Sequence, residues 1–211
     1  TKPIAAKPFA VFDIETMDWT NFLVAGLYDG KNYRECYSVP ELLIAMAESG
    51  LENFYAHYGG RYDALFLLEA AIKGHAEVVE IIPRGSAILA MTLLVDLGDA
   101  GVRKITIRDT IFFLPSKLKD AAAIFNVPTQ TGDIDHEKTT GVTPELLSYL
   151  KADCYALYET VIAFRELEFV KKVGAANTIA SQAIRCLRGY LDTRIPKCPG
   201  DVAAFIRTGY F

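Results

Sequence analysis

Apolar residues in this chain come in short runs separated by turn residues, and the spacing alternates between strand-like and helical. Residues 9–14 (FAVFDI) are β-branched and aromatic, which predicts a buried strand ending in acid. Asp29-Gly30 lies between the strand-like segments 21–28 and 32–38, a strong hairpin signal that supplies antiparallel partners for the first strand. Residues 40–49 place Leu42, Leu43, Ala45 and Met46 at helical spacing, with Ser38 as cap and Gly50 as stop. A strand at 53–57, a turn at Gly59-Gly60 and a helix over 63–73 follow, with Asp63 at the helix start and Gly74 closing it.

Three further strands are predicted at 78–83, 88–96 and 102–109, separated by Arg84-Gly85 and by a Gly-Asp-Ala-Gly turn. A short helix spans 117–125, and 129–142 is a polar loop. Thr143-Pro144-Glu145 then opens a long helix running to about residue 173. Alternating strands and helices without internal repeats predict one α/β domain with a mixed sheet over 1–175, and 176–211 as a helical appendix.

Composition narrows the class. A hydrophobic share of 51% with 23% charged residues is globular and excludes disorder. Twenty-two Lys plus Arg against 26 Asp plus Glu give a net charge of −4, so any nucleic-acid binding depends on a local groove and not on a polycationic surface. The longest apolar stretch, 87–95, is far shorter than the roughly 20 residues of a membrane span, and no signal segment opens the chain. A soluble, intracellular protein with no membrane partner is expected. Cys36, Cys154, Cys186 and Cys198 have no metal spacing and are expected to be reduced thiols. Thr1 at one end and an apolar, aromatic run at the other give the expectation of a piece cut from a larger chain.

Asp13 and Glu15 stand two apart at a strand end, so both point to one side, while Asp63 begins a helix and Asp153 lies within another. An Asp-x-Glu is expected about once by chance with 13 Asp and 13 Glu, and a solvated strand end is its bland alternative. Tyr149 and Asp153 share a helix face at i, i+4, and an anchoring aromatic above a wet carboxylate explains that pair equally well.

Order and context change this. Phe12-Asp13-Ile14-Glu15-Thr16, Ala56-His57-Tyr58-Gly59-Gly60-Arg61-Tyr62-Asp63 and Tyr149-Leu150-Lys151-Ala152-Asp153 resemble the three exonuclease motifs of family B DNA polymerase proofreading domains. The protein-primed subgroup of phages and linear plasmids is the nearest likeness. Arg108-Asp109-Thr110, Leu114-Pro115 and Gly132-Asp133-Ile134-Asp135 also look like its segments, and residues 205–211 are similar to the point where that family enters its polymerase domain. The motifs for nucleotidyl transfer are not in this sequence.

The resemblance implies a ribonuclease H-like α/β fold, a mixed sheet flanked by helices, acting as a 3′→5′ exonuclease on single-stranded DNA. It implies that Asp13, Glu15, Asp63 and Asp153 hold two Mg²⁺ or Mn²⁺ ions, a choice that oxygen-only ligation favours over zinc. Tyr149 would orient the attacking water through its hydroxyl. Related exonucleases with a histidine in that role place it five residues before the last Asp; Ser148 stands there, which selects the tyrosine subtype. Thr16, His57, Tyr58, Tyr62, Thr110 and Ile111 match positions that contact the single-stranded 3′ end, with stacking as the role of Tyr62. A terminal priming protein and the rest of a polymerase chain are the further partners implied.

Two departures from the family pattern stand out. Tyr58 occupies the place of an Asn, and Thr131 and His136 replace a Lys and a Tyr that flank the Gly-Asp-Ile-Asp loop, with Lys138 near enough to substitute. Arg61, Arg108, Lys117 and Lys119 are alternative phosphate contacts or solvated charges. Trp19 and Cys154 are expected to be packing residues, and Gly59-Gly60 a plain turn. Rival readings are a degenerate, non-cutting module that binds single strands or docks a priming protein, and an RNA-processing exonuclease of the same fold.

Overall fold

A computed structural model of the chain describes residues 7–129, 131–132 and 140–191. Seven strands, β1 (Ala10–Met17), β2 (Asn21–Tyr28), β3 (Tyr33–Cys36), β4 (Asn53–Ala56), β5 (Glu77–Arg84), β6 (Ala87–Asp96) and β7 (Val102–Asp109), form one sheet in the order β3-β2-β1-β4-β7-β6-β5. β1, β4 and β7 run parallel, and the other neighbours pair antiparallel. The expected mixed sheet is therefore present. β1 is longer than the run 9–14 suggested, and it carries Glu15 and Thr16 within the strand.

Strand periodicity decides which residues meet which helices. Ala10, Phe12 and Ile14 belong to a core with α1 (Val39–Glu48) and α2 (Asp63–Ala70) on one face of the sheet. Phe9 and Val11 point to the other face, into a second core with Leu146, Leu150, Leu157 and Val161 of α4 (Pro144–Glu166). Asp13 and Glu15 continue that odd-numbered row, so the strand aims both carboxylates toward α4.

Local chemistry starts the helices as expected. Ser38 Oγ accepts from the Glu41 N–H at the start of α1, and Thr143 Oγ1 accepts from the Leu146 N–H at the start of α4. Caps of this kind contribute about 1 kcal/mol each. α4 approaches β2 closely because Gly26 has no side chain: a Cβ there would lie 2.9 Å from Cys154 Sγ and 3.1 Å from Leu150 Cγ. Gly26 pairs directly with Asp13, so the same approach brings Asp153 over the end of β1.

Two helix bounds need correction. The helix expected to continue to residue 173 stops at Glu166, because Leu167 is extended (φ −56°, ψ 134°), and a separate short helix, α5 (Glu168–Val173), follows. The helix over 63–73 leaves α geometry after Ala70, and a wider turn, Ala71–His75, ends at Gly74 with φ 92°. α3 (Leu118–Ile124) lies within its expected span. α6 (Ile179–Tyr190) packs on α5 through Gln182, whose amide accepts from the Ala176 N–H at 2.8 Å and donates to the Gly174 carbonyl at 3.3 Å. Cys36 and Cys154 are buried free thiols and Cys186 is a partly exposed one; Cys198 lies outside the described residues. Among the described residues no helix is long and apolar enough to cross a membrane.

Candidate active site

Three elements deliver acid to one cleft of about 350 Å³. β1 contributes Asp13 and Glu15, the start of α2 contributes Asp63, and α4 contributes Tyr149 and Asp153. Glu15 and Asp63 are buried, 3% exposed each. Residues far apart in sequence thus share one small volume, and among the described residues no Lys or Arg lines it.

Electrostatics follow from that crowding. Burial, then repulsion from Asp63, Glu15 and Asp153, holds the Asp13 carboxyl well above the ordinary carboxylate range. Burial, then Asp153 and Asp63, pushes Glu15 up to about 8. Burial raises Asp63 to about 7 even though the Ile14 backbone and its own N–H hydrogen-bond it. Asp63 Oδ1 is buried with no hydrogen-bond partner. An all-oxygen cluster of this type suits a hard divalent cation such as Mg²⁺ or Mn²⁺. As the side chains stand, no group of three or more His, Cys, Asp or Glu among the described residues is arranged to hold one ion.

Tyr149 is raised above the ordinary phenol range, first by burial and then by Asp153, whose carboxylate accepts its hydroxyl hydrogen bond. The phenol is therefore protonated at neutral pH.

Among the residues matched to strand contact, the structure brings Thr16, His57, Tyr58 and Tyr62 to the cleft wall. The Thr16 and Tyr62 hydroxyls hydrogen-bond each other. Tyr58 is 49% exposed and has a left-handed backbone (φ 59°), a conformation that Asn tolerates better than an aromatic residue. His57 lies on the wall, but both ring nitrogens are engaged within the chain: Nε2 at 2.8 Å from the Ser116 carbonyl and Nδ1 at 2.8 Å from Thr110 Oγ1. A carbonyl only accepts, so Nε2 carries a proton and donates it to Ser116; burial lowers the His57 pKa, and the Thr110 hydroxyl that meets Nδ1 also donates to the Ala56 carbonyl at 3.1 Å. Thr110 is fully buried, and neither it nor Ile111 reaches the cleft lining. Arg108 donates to Asn53 Oδ1 at 2.8 Å, inside the sheet. Asp133 to Asp135, His136 and Lys138, and the segment 205–211, lie outside the described residues.

Two residues here escaped the sequence reading. Asp109 is a further buried carboxylate beside Glu15 and Asp63, committed to the backbone: Oδ2 accepts from the Gly60 N–H and Oδ1 from the Ile111 N–H, each at 2.9 Å. Its position before Thr110, at the end of a strand beside the second motif, was the available signal. Trp19, expected to be a packing residue, is 60% exposed and lines the cleft. Its place in a hairpin turn, where a buried indole has no room, was the signal against packing.

Known proteins resemble this chain in sequence and in fold. Residues 46–143 match the family of type B DNA polymerases, organellar and viral. The DNA-directed DNA polymerase of Enterobacteria phage PRD1 is 27% identical over 190 residues, covering 86% of this chain and 30% of the phage protein. Over these segments the chain is similar to type B DNA polymerases. Phi29 DNA polymerase in ternary complex with primer-template DNA and nucleotide superposes with a TM-score of 0.75 at 17% identity, over 99% of this chain and 39% of that one. Its complex with single-stranded DNA gives 0.74 at 19% identity, over 97% and 40%. The likeness establishes a ribonuclease H-like fold, a mixed sheet flanked by helices. The chain spans about a third of the PRD1 polymerase and two fifths of the phi29 polymerase.

Proposed function

We propose that the chain is a metal-dependent 3′→5′ exonuclease for single-stranded DNA, the proofreading part of a protein-primed DNA polymerase. Residues 1–175 form the exonuclease unit, and 176–211 lead toward a polymerase domain; a terminal priming protein is a partner of the parent chain. The observation that carries this reading is the meeting of Asp13, Glu15, Asp63 and Asp153 with the Tyr149 hydroxyl in one open cleft, from three separate elements.

Asp13, Glu15, Asp63 and Asp153 would hold the two ions, and Asp63 Oδ1 has an acceptor position to spare. When bound, divalent ions activate a water and offset charge on the scissile phosphate and leaving oxygen. The chain's own contribution is placement. Tyr149, fixed by its bond to Asp153, presents an oxygen on the α4 side of the cleft to orient the water. Thr16, Tyr58 and Tyr62 form the wall against which the terminal nucleotide rests, the tyrosines by stacking and the hydroxyls by hydrogen bonding. His57 steadies that wall by tying β4 to the Thr110–Ser116 segment.

A second reading, a single-strand binding module that does not cut, draws on one observation: among the described residues no three donors stand ready around a single ion. A 5′-labelled single-stranded oligonucleotide incubated with the chain and Mn²⁺, with and without chelator, separates the two. Shortening from the 3′ end that stops with chelator and with Asp153→Ala supports the nuclease. Binding without shortening at any Mn²⁺ or Mg²⁺ concentration overturns it in favour of the binding module.

A further inference from the structure

β1 and β2 are joined by a tight turn closed by the Thr20 N–H donating to the Met17 carbonyl at 3.2 Å. Both central residues have positive φ, Asp18 at 53° and Trp19 at 61°. Such a turn favours Gly, Asn or Asp, so Asp18 is suited to it and an indole is not. A bulky residue with a left-handed backbone is an outlier, and outliers of this kind persist where function holds them. Burial does not account for Trp19, which is 60% exposed. What it does contact is the site: the indole meets the Tyr62 ring edge to face at 6.0 Å between centroids, Tyr62 hydrogen-bonds Thr16, and all three line the acidic cleft.

We propose that Trp19 is a stacking platform for an unpaired nucleobase of single-stranded DNA entering the cleft. The inference rests on the exonuclease reading and adds to it a ligand contact that the three motifs do not contain. An indole offers a large flat face to any base without reading its edge, which suits a site that must accept whatever base lies at a 3′ end. The turn holds the indole beside Tyr62 in the lining of the cleft that also contains the carboxylates.

Trp19 is the single tryptophan of the chain, so its emission reports on this contact directly. The test titrates the intact chain with hexathymidylate in EDTA, following indole fluorescence, and in parallel follows the anisotropy of the fluorescein-labelled oligonucleotide. The expected result is quenching that tracks the anisotropy isotherm. Trp19→Ala and Trp19→Gly should weaken binding at least about fivefold, the low end of the effect of one stacked base. Trp19→Phe should recover most of that loss. Because glycine suits a left-handed turn, Trp19→Gly should hold or raise the thermal midpoint while it weakens binding, which a purely structural tryptophan would not do. Unchanged emission during binding, or wild-type affinity of Trp19→Gly, overturns the stacking role alone. Absence of any anisotropy change with the unsubstituted chain overturns the exonuclease reading itself, and this inference with it.

Discussion

Gly60 donates its backbone N–H to Asp109 Oδ2 across 2.9 Å, and a Cβ at position 60 would lie 2.2 Å from the Ile88 carbonyl. The loop carrying Tyr58 and leading to Asp63 is thereby fixed against β6 and β7. Gly59-Gly60, expected as a plain turn, is a close approach of the chain to itself.

Asp109 is therefore expected to be a positioning residue. Asp109→Asn keeps the shape but turns one acceptor into a donor facing a backbone N–H, leaving a buried group unsatisfied at a cost of about 2 kcal/mol. For a domain of this size that lowers the thermal midpoint by roughly 4–8 °C. Cleavage should fall as Asp63 loses its placement, while Asp109→Glu restores neither. A midpoint within a degree of wild type would show that the Gly60 and Ile111 bonds carry no weight.

The metal site gives a different pattern. Asp13→Ala, Glu15→Ala and Asp153→Ala each remove a carboxylate from a repulsive cluster, so each should abolish exonuclease turnover while the thermal midpoint in chelator holds or rises. Tyr149→Phe should lower the rate and leave Mn²⁺ binding, measured calorimetrically, nearly intact, since only the orienting hydroxyl is lost. Any carboxylate variant that degrades DNA at the wild-type rate removes its residue from the site.

Acidity of the cluster ties stability to pH. Glu15 is pushed up to about 8 and Asp63 to about 7, whereas both titrate near 4 in the unfolded chain. Between about pH 4.5 and 8 the folded chain therefore holds more protons than the unfolded one, and stability falls as pH rises through that window. In EDTA the thermal midpoint should drop by roughly 5–10 °C from pH 5.5 to 8.5. Mn²⁺ should restore it most strongly at pH 8.5, where the carboxylates are ionised. Asp63→Asn should flatten the profile; a midpoint in EDTA that is level with pH for the unsubstituted chain counts against the shifted carboxyls.

Much of this site was legible because it depends on period and order. Alternation along β1 put Asp13 and Glu15 on one face, four-residue spacing put Tyr149 above Asp153, and Asp63 sat at a helix start, all three readable from single residues. The meeting of the three elements was not, since it depends on Gly26 admitting α4 against β2. The end of α4 at Leu167 was missed because nothing in Glu166-Leu167-Glu168 breaks a helix by propensity. Trp19 was misplaced because hydrophobicity predicts burial, whereas its position in a tight turn with positive φ leaves it 60% exposed.

Tyr58 joins backbone strain to substrate grip. Its φ of 59° is one that an L-aromatic adopts at a cost of about 1 kcal/mol and that Asn adopts more readily. It is 49% exposed on the cleft wall, edge to face with His57 at 5.1 Å, and so is free to meet a strand by its ring or hydroxyl. An amide at this place offers a donor and an acceptor together, which a phenol replaces only in part. Tyr58→Asn is therefore expected to raise the thermal midpoint by about 2–4 °C and to raise single-turnover cleavage of single-stranded DNA, since small errors in placing the scissile phosphate are costly. Tyr58→Ala should weaken oligonucleotide affinity through loss of the ring. The two measurements separate backbone from contact. A stabilised Tyr58→Asn with both rate and affinity within about twofold, roughly 0.4 kcal/mol, would mean that Tyr58 shapes the turn and does not touch the strand.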